Sequence, residues 1–486
     1  MTKNILNSIA LLTIVTGCGG GSNSQTNSAP VFTSATAATT IENNALAFQV
    51  AATDANGQSV SFSIAGGDDA ASFSINGAGT LNFTNLPNFD NPADADGNNI
   101  YLITLAATDG QTTTTQALSV TVTNSREGIS VRRLFTGFNQ PVAIAAIPGD
   151  RRLFVGEKDG SIWFFDPATN LRTLYTLARP ADPISGNTPL GVNGLLGMVP
   201  APDYVINGNL FVAVDDQSGN IQIRTIFRNA AAAGIPNNST GILRLARGAT
   251  APTPAAWLGI GPDNNLYLST GDAGGQNDPA NSAQNDASQF GKLIRIRRNP
   301  DPFAGASVGP LFFFDLVAKG LRQPSSFTFF GSEILIGDRG QSRFGEINRM
   351  TATGSGINFG WPFREGNVDL ATGARPLLTD AALQVAFGTG PKQGNAITLG
   401  QVFQSSVQEL RTRLIFSDAN GSIWTVPTSS LTGNRTLIAG DFERRNEDFV
   451  PDVGSITGIV AFATGNDGRS YLLDRDGEIF EIVAAP

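Results

Sequence analysis

The stretch AAWLGIGPDNNLYLSTGDAGG, residues 255–275, decides the fold: an apolar strand, a Gly-Pro-Asp-Asn turn, a second strand, then a Gly-Asp end. Short apolar runs broken by Gly and Asn turns read as antiparallel strands. The unit recurs as PVAIAAIPGDRRLFVGEKDGSIWFFD (141–166), GLLGMVPAPDYVINGNLFVAVDDQSGNIQIRTI (194–226), PSSFTFFGSEILIGDRGQ (324–341), LRTRLIFSDANGSIWTV (410–426) and ITGIVAFATGNDGRSYLLDRDGEIFEI (456–482). Six copies spread over residues 126–486 allow roughly sixty residues each, about one propeller blade. The last copy, ending in EIFEIV, is short of a full blade, so GISVRRLF (128–135) is expected to supply its outer strand and hide the exposed edge.

Composition sets the bounds. The chain of 486 residues is too long for one core and predicts at least two domains. A formal charge of −9 with no Lys/Arg-rich run excludes nucleic acid as a partner. Residues 1–25 carry Lys3, an apolar run from Ile9 to Val15 and small residues, the pattern of a secretory signal. Val15-Thr16-Gly17-Cys18 resembles a bacterial lipobox, followed by a Gly/Ser/Asn tether. That resemblance implies acylation of Cys18, a membrane partner through the lipid, and a place in the cell envelope, at the outer membrane or cell surface. Cys18 is the only cysteine, so no disulfide within the chain is expected.

Residues 29–124 form a Thr/Ala/Ser-rich block with alternating runs such as LAFQVAAT, VSFSIAG and ALSVTVTN, which predicts an antiparallel β-sandwich. APVFTS, ATDANG, NFDNPADADGNNIYLITLAATDG and VTVTN resemble a bacterial cadherin-like repeat. The resemblance implies Ca²⁺ held by Glu42, Asp54, Asp90, Asp94, Asp96 and Asp109, because a hard cation takes six or more oxygens. It also leaves room for a protein partner on this domain. Equally open is that these acids cap turns. The whole chain therefore reads as all-β: signal and tether in 1–25, cadherin-like sandwich in 29–124, six-bladed propeller in 126–486.

The propeller has a resemblance of its own. GFNQPVAIAAIPGDRRLFVGEKDGSIW, NGLLGMVPAPDY, KGLRQP, IGDRGQSRFGEINRM and INFGWPFREG, in that order, resemble landmarks of the glucose/sorbosone dehydrogenase family. The family implies pyrroloquinoline quinone (PQQ), Ca²⁺ and oxidation of a sugar hydroxyl, with a histidine as general base. Carried over, the histidine position falls on Thr253 in APTPAA, and its orienting aspartate on Asp272 in STGDAGG. The chain has no histidine at all. Arg322 in GLRQP matches a quinone-binding arginine, and Gln323 replaces the asparagine beside it. Gln404 stands where a cation is implied, and the carbonyls of Gly340 and Gln341 match the calcium turn.

Two functions follow from this reading. One is a lipid-anchored protein that has kept the propeller and lost the base, binding a sugar or other small molecule or acting as a scaffold. The other is a working quinoprotein aldose dehydrogenase with a carboxylate such as Asp272 as base. For Asp272 and Asp278, in one Gly-rich loop, function and turn-capping stand level; for Asp418 and Asp338 at strand ends, turn-capping is the bland alternative, favoured at Asp418, and Trp163 and Trp424 are expected in the core.

Overall fold

The computed structural model describes residues 26–177, 192–216, 219–227, 239–247, 256–299, 311–370, 376–402, 407–432 and 435–485. The chain divides into two compact units, Met1–Asn88 with Pro92–Thr123, and Phe89–Asn91 with Asn124–Pro486. No helix among the described residues is long and apolar enough to cross a membrane.

In the first unit a four-stranded sheet runs in the order Ala37–Ile41, Thr113–Thr123, Ile100–Thr108, Ser61–Gly66, and a three-stranded sheet holds Phe48–Gln49, Thr80–Phe83 and Phe73–Ile75. Alternation places Tyr101, Ile103 and Leu105 inward from the first sheet and Leu81 and Phe83 inward from the second, all buried. Tyr101 meets Phe83 edge-on with ring centroids 5.0 Å apart, which fixes the two sheets face to face.

The second unit is the six-bladed propeller. Its innermost strands, Pro141–Ala146, Val192–Pro200, Ala256–Ile260, Pro324–Phe330, Ile397–Val402 and Ile459–Thr464, neighbour one another in chain order and the sixth returns to the first. Each blade is a meander of antiparallel strands. The sixth takes its outermost strand from the start of the unit: Ile129–Thr136 pairs with Glu478–Ala484, Val131 opposite Ile482. The sequence expected that closure. Blade 3 differs, because Ile357–Asn358 adds to its outer strand by parallel pairing with Ala318 and Lys319.

Burial explains why the second strands of the blades are near-continuous apolar runs. Leu153–Glu157, Leu266–Thr270 and Ser470–Asp474 are buried at every position, since each blade is covered on both faces by its neighbours. Blades 3 and 4 share Tyr267, Leu293, Phe327, Ile334 and Ile336; blades 4 and 5 share Leu335, Ile347, Phe416 and Trp424. Trp424 is a core residue as expected. Trp163 is half-buried and carries the Arg172 guanidinium 4.3 Å above its ring.

Candidate functional site

The strand-end acids have a shared duty. Glu157 accepts from Asn139 N at 2.7 Å, Asp338 from Arg322 N at 2.9 Å and Gln323 N at 2.6 Å, and Asp474 from Thr457 N at 2.7 Å. The amide of Asn395 reaches Asp418 in the same way. Every donor lies just before the inner strand of its own blade, and every acceptor ends or nearly ends the second strand. The acid thus staples the entrance of a blade to its second strand and satisfies amides that no ladder reaches. Asp418 also caps the turn amides of Asn420 and Ser422, both at 3.0 Å. Turn-capping is what the structure shows for Asp418, whereas Asp338 is spent on the amides at the entrance of its blade.

Asp272 departs from this pattern. It follows blade 3's second strand, is buried, and accepts from Gly274 N on Oδ1 and from Trp361 Nε1 on Oδ2, each at 2.8 Å. Its own amide donates to Arg322 O at 2.9 Å, tying blade 3 to the entrance of blade 4. Burial raises the carboxyl's pKa, against the opposing pull of the Trp361 and Gly274 donors and the Arg322 charge. After it the backbone turns left-handed at Ala273 (φ 67°), Gly274 (95°), Gly275 (102°), Asn277 (60°) and Asp278 (47°). A side chain on Gly275 would also meet Pro279 at 2.8 Å, so the Gly-Gly pair is a backbone requirement. Asp278 caps the next turn, accepting from Ser282 N and Ala283 N at 2.8 Å. The two acids of the loop therefore part company, one bridging elements and one capping a turn.

Arg322 completes the corner. Its guanidinium lies 5.4 Å from the Trp361 ring centroid, and Nη1 donates to Gly340 O at 2.8 Å and Arg339 O at 3.3 Å. Its Nε is buried without a hydrogen-bond partner. Gln341 does not turn its amide to this corner: it exchanges bonds with Asn277, whose N donates to Oε1 at 2.8 Å while Nε2 donates to Oδ1 at 3.2 Å. Gln323 contributes its backbone to Asp338. Behind them burial pushes Asp338 up to about 7 and its register partner Glu346 up to about 8, the Asp338 charge adding to the rise of Glu346. Both lie well above the usual carboxylate range.

These groups set limits on the cofactors implied by the family. A guanidinium already sits on the Gly340 carbonyl, so a divalent cation does not fit there beside it. A quinone carboxylate finds a single arginine here, Arg322, whose Nη1 is already on the Gly340 carbonyl and whose Nε is buried. Thr253, Gln404 and Cys18 lie outside the described residues.

Four of the acids expected to hold Ca²⁺ are engaged in local turns. Asp54 caps Asn56 N and Gln58 N; Asp94 caps Asn98 N; Asp96 accepts from Asn98 Nδ2; Asp109 accepts from Gln111 N, Thr112 N and Asn27 Nδ2. Glu42 is buried, and Asp90, counted with the propeller unit, pairs with buried Arg445 at 2.9 Å. Among the described residues, no three of these six acids bring carboxylate oxygens within 4.8 Å of one another.

Sequence reasoning missed Trp361 and Lys292. Trp361 was visible only as the centre of the GWP landmark, since its partner Asp272 lies 89 residues away. Lys292 looks like one more strand residue, yet it is fully buried with Nζ on three backbone carbonyls.

Comparison with known proteins agrees with the propeller. Residues 138–374 match the family described as Glucose / Sorbosone dehydrogenase. The PQQ-bound form of aldose sugar dehydrogenase from Streptomyces coelicolor superposes with a TM-score of 0.52 at 20% identity, over 73% of this chain and 98% of that one. The soluble aldose sugar dehydrogenase from Escherichia coli, in its apo form, gives 0.51 at 15% identity, over 73% of this chain and 99% of that one. At these identities the likeness is one of fold. Among curated proteins, the HIPL1 protein of Arabidopsis thaliana is 30% identical over 267 residues, 46% of this chain and 38% of that protein. The chain thus spans less than two fifths of the curated relatives it matches.

Proposed function

We propose that this chain is a lipid-anchored envelope protein whose propeller binds a small polar molecule, a sugar or a close analogue, at the blade 3–4 corner without oxidising it. The observation that carries this reading is the state of Asp272: both oxygens are taken, by Trp361 and by Gly274, in a chain that has no histidine to orient. General-base catalysis needs a group within hydrogen-bond reach of the substrate hydroxyl and poised to take its proton. A carboxylate already committed to an indole and an amide is built to hold the corner. The match of residues 138–374 to the dehydrogenase family supports a ligand site at this corner, and the Arg322 charge beside Asp272 supplies a cation for a ligand oxygen.

Purified protein titrated with PQQ and Ca²⁺ by absorbance, then assayed with aldoses and an artificial electron acceptor, tests this directly. The expected result is no sugar-dependent reduction of the acceptor, with the sugar alone raising the melting temperature by mass action. Sugar- and quinone-dependent turnover overturns it in favour of the second reading, a carboxylate base, which the raised pKa of Asp272 favours. The anchor has its own test: Cys18→Ser is expected to move the protein from membranes to the soluble extracytoplasmic fraction, and retention in membranes removes the lipid from the proposal.

A further inference from the structure

Residues 271–291 form a loop whose ends meet: Gly291 N donates to Gly271 O at 2.8 Å, directly after the second strand of blade 3 and directly before its third. Inside it three carbonyls converge, those of Ser282, Ala283 and Phe290. Lys292 Nζ donates to them at 2.6, 3.0 and 2.7 Å, which uses all three ammonium hydrogens. The side chain is fully buried, where an unsatisfied charge is costly, so the lysine stands there only because the cradle is complete. Burial lowers its pKa to about 8, which leaves the ammonium form dominant at neutral pH. The same loop carries Asp272 at its start and Asp278 in its middle. On the facing blade the guanidinium of Arg322 occupies the carbonyls of Gly340 and Arg339.

Backbone carbonyls converging on one point are how loops hold hard cations. Here both convergences are filled from the chain. We infer that the protein supplies the cations of its own site, Lys292 in the loop cradle and Arg322 on the blade 4 turn, so that the Asp272–Trp361 corner is held in place without a divalent metal ion. Lys292 touches no ligand and is a positioning residue: it fixes the loop that aims Asp272. This stands apart from the binding reading, since it concerns how the corner is held and not whether a sugar is oxidised there.

Terbium replaces Ca²⁺ and emits when excited through a nearby tryptophan. All four tryptophans, Trp163, Trp257, Trp361 and Trp424, lie in the propeller, so sensitised emission from the whole protein reports on that unit alone. The expected result is no saturable, Ca²⁺-competed emission that depends on Trp361; emission present in the parent and abolished in Trp361→Phe overturns the inference. In the second arm, Lys292→Met is expected to lower the melting temperature by roughly 5–10 °C, as an emptied buried cradle implies, and to shift the tryptophan emission to the red. Ammonium chloride, whose cation fits the cradle, is expected to recover at least half of both shifts, and choline chloride neither. A Met variant that melts like the parent, or that responds equally to the two salts, overturns the role of Lys292. If that variant does not fold, the terbium arm decides. A sugar-oxidation result in either direction leaves both arms unchanged, so this inference and the proposed function fail separately.

Discussion

At the scale of single residues, the Asp272–Trp361 bond is the point on which the site turns. Trp361→Phe keeps the ring and the packing and removes the indole N–H, leaving a buried carboxylate oxygen without its donor. The expected cost is about 1–3 kcal/mol, read from denaturant melts. A double-mutant cycle with Asp272→Asn is expected to show coupling of at least about 0.5 kcal/mol; additive effects would mean that the bond does not hold the corner. The aspartate was legible in the sequence because Gly-Asp-Ala-Gly-Gly announces a tight turn after a strand. Its partner was not, because nothing local to Trp361 says that a segment following blade 4's third strand returns to blade 3. The same limit hid Lys292, whose burial depends on a loop closing over it. Gly340 and Gln341 were legible as a turn, but the donor that reaches the Gly340 carbonyl, Arg322, comes from 18 residues earlier.

At the scale of elements, blade 4 pairs two raised carboxyls across adjacent strands. Asp338 and Glu346 face each other across its second and third strands, and burial lifts both far above their ordinary values. Between the ordinary carboxylate range and about pH 8 the folded unit therefore binds more protons than the unfolded chain. Stability is full at low pH and falls as pH rises through the folded values. The propeller is expected to melt at a lower temperature at pH 9 than at pH 6, and Glu346→Gln, which cannot ionise, to flatten that slope. A slope unchanged in the variant would assign the dependence to another group. In the sandwich, the capping roles of Asp54, Asp94 and Asp109 set an expectation against the calcium cage implied by the cadherin-like resemblance. Asp94 receives the amides of Asn98 and Asn99. Asp94→Ala is accordingly expected to cost about 1 kcal/mol through the lost cap, equally with millimolar Ca²⁺ or chelator. A Ca²⁺-dependent difference would restore the metal reading. Alternation along each strand made the sandwich readable in advance; the direction of each carboxylate was not, since either ligation or capping satisfies the same turn.

At the scale of the whole propeller, stability depends on closing the ring. Strand count and spacing already implied that the last blade lacked a strand, which made GISVRRLF (128–135) identifiable from the sequence: an apolar run preceding the first full unit has few other places to go. The structure pairs it with Glu478–Ala484 and buries Ile129 and Val131 among Phe449, Ile459, Phe480 and Ile482. Without that strand, blade 6 would expose the backbone of 478–484 as a free edge, a template for intermolecular pairing. A charge placed here opposes closure itself. Val131 is 1% exposed, so Val131→Asp buries an unpaired carboxylate, a change at the severe end of single substitutions and comparable with the marginal stability of a domain. Leu171→Asp, on the outer strand of blade 1 where the side chain is 66% exposed, is the matched control and is expected to stay within about 0.5 kcal/mol of the parent. Soluble yield and the thermal transition of the two variants decide the matter. Loss of the folded propeller in Val131→Asp alone means that the ring is held shut by the first strand of the unit. Equal behaviour would mean that five blades and a three-stranded sixth suffice.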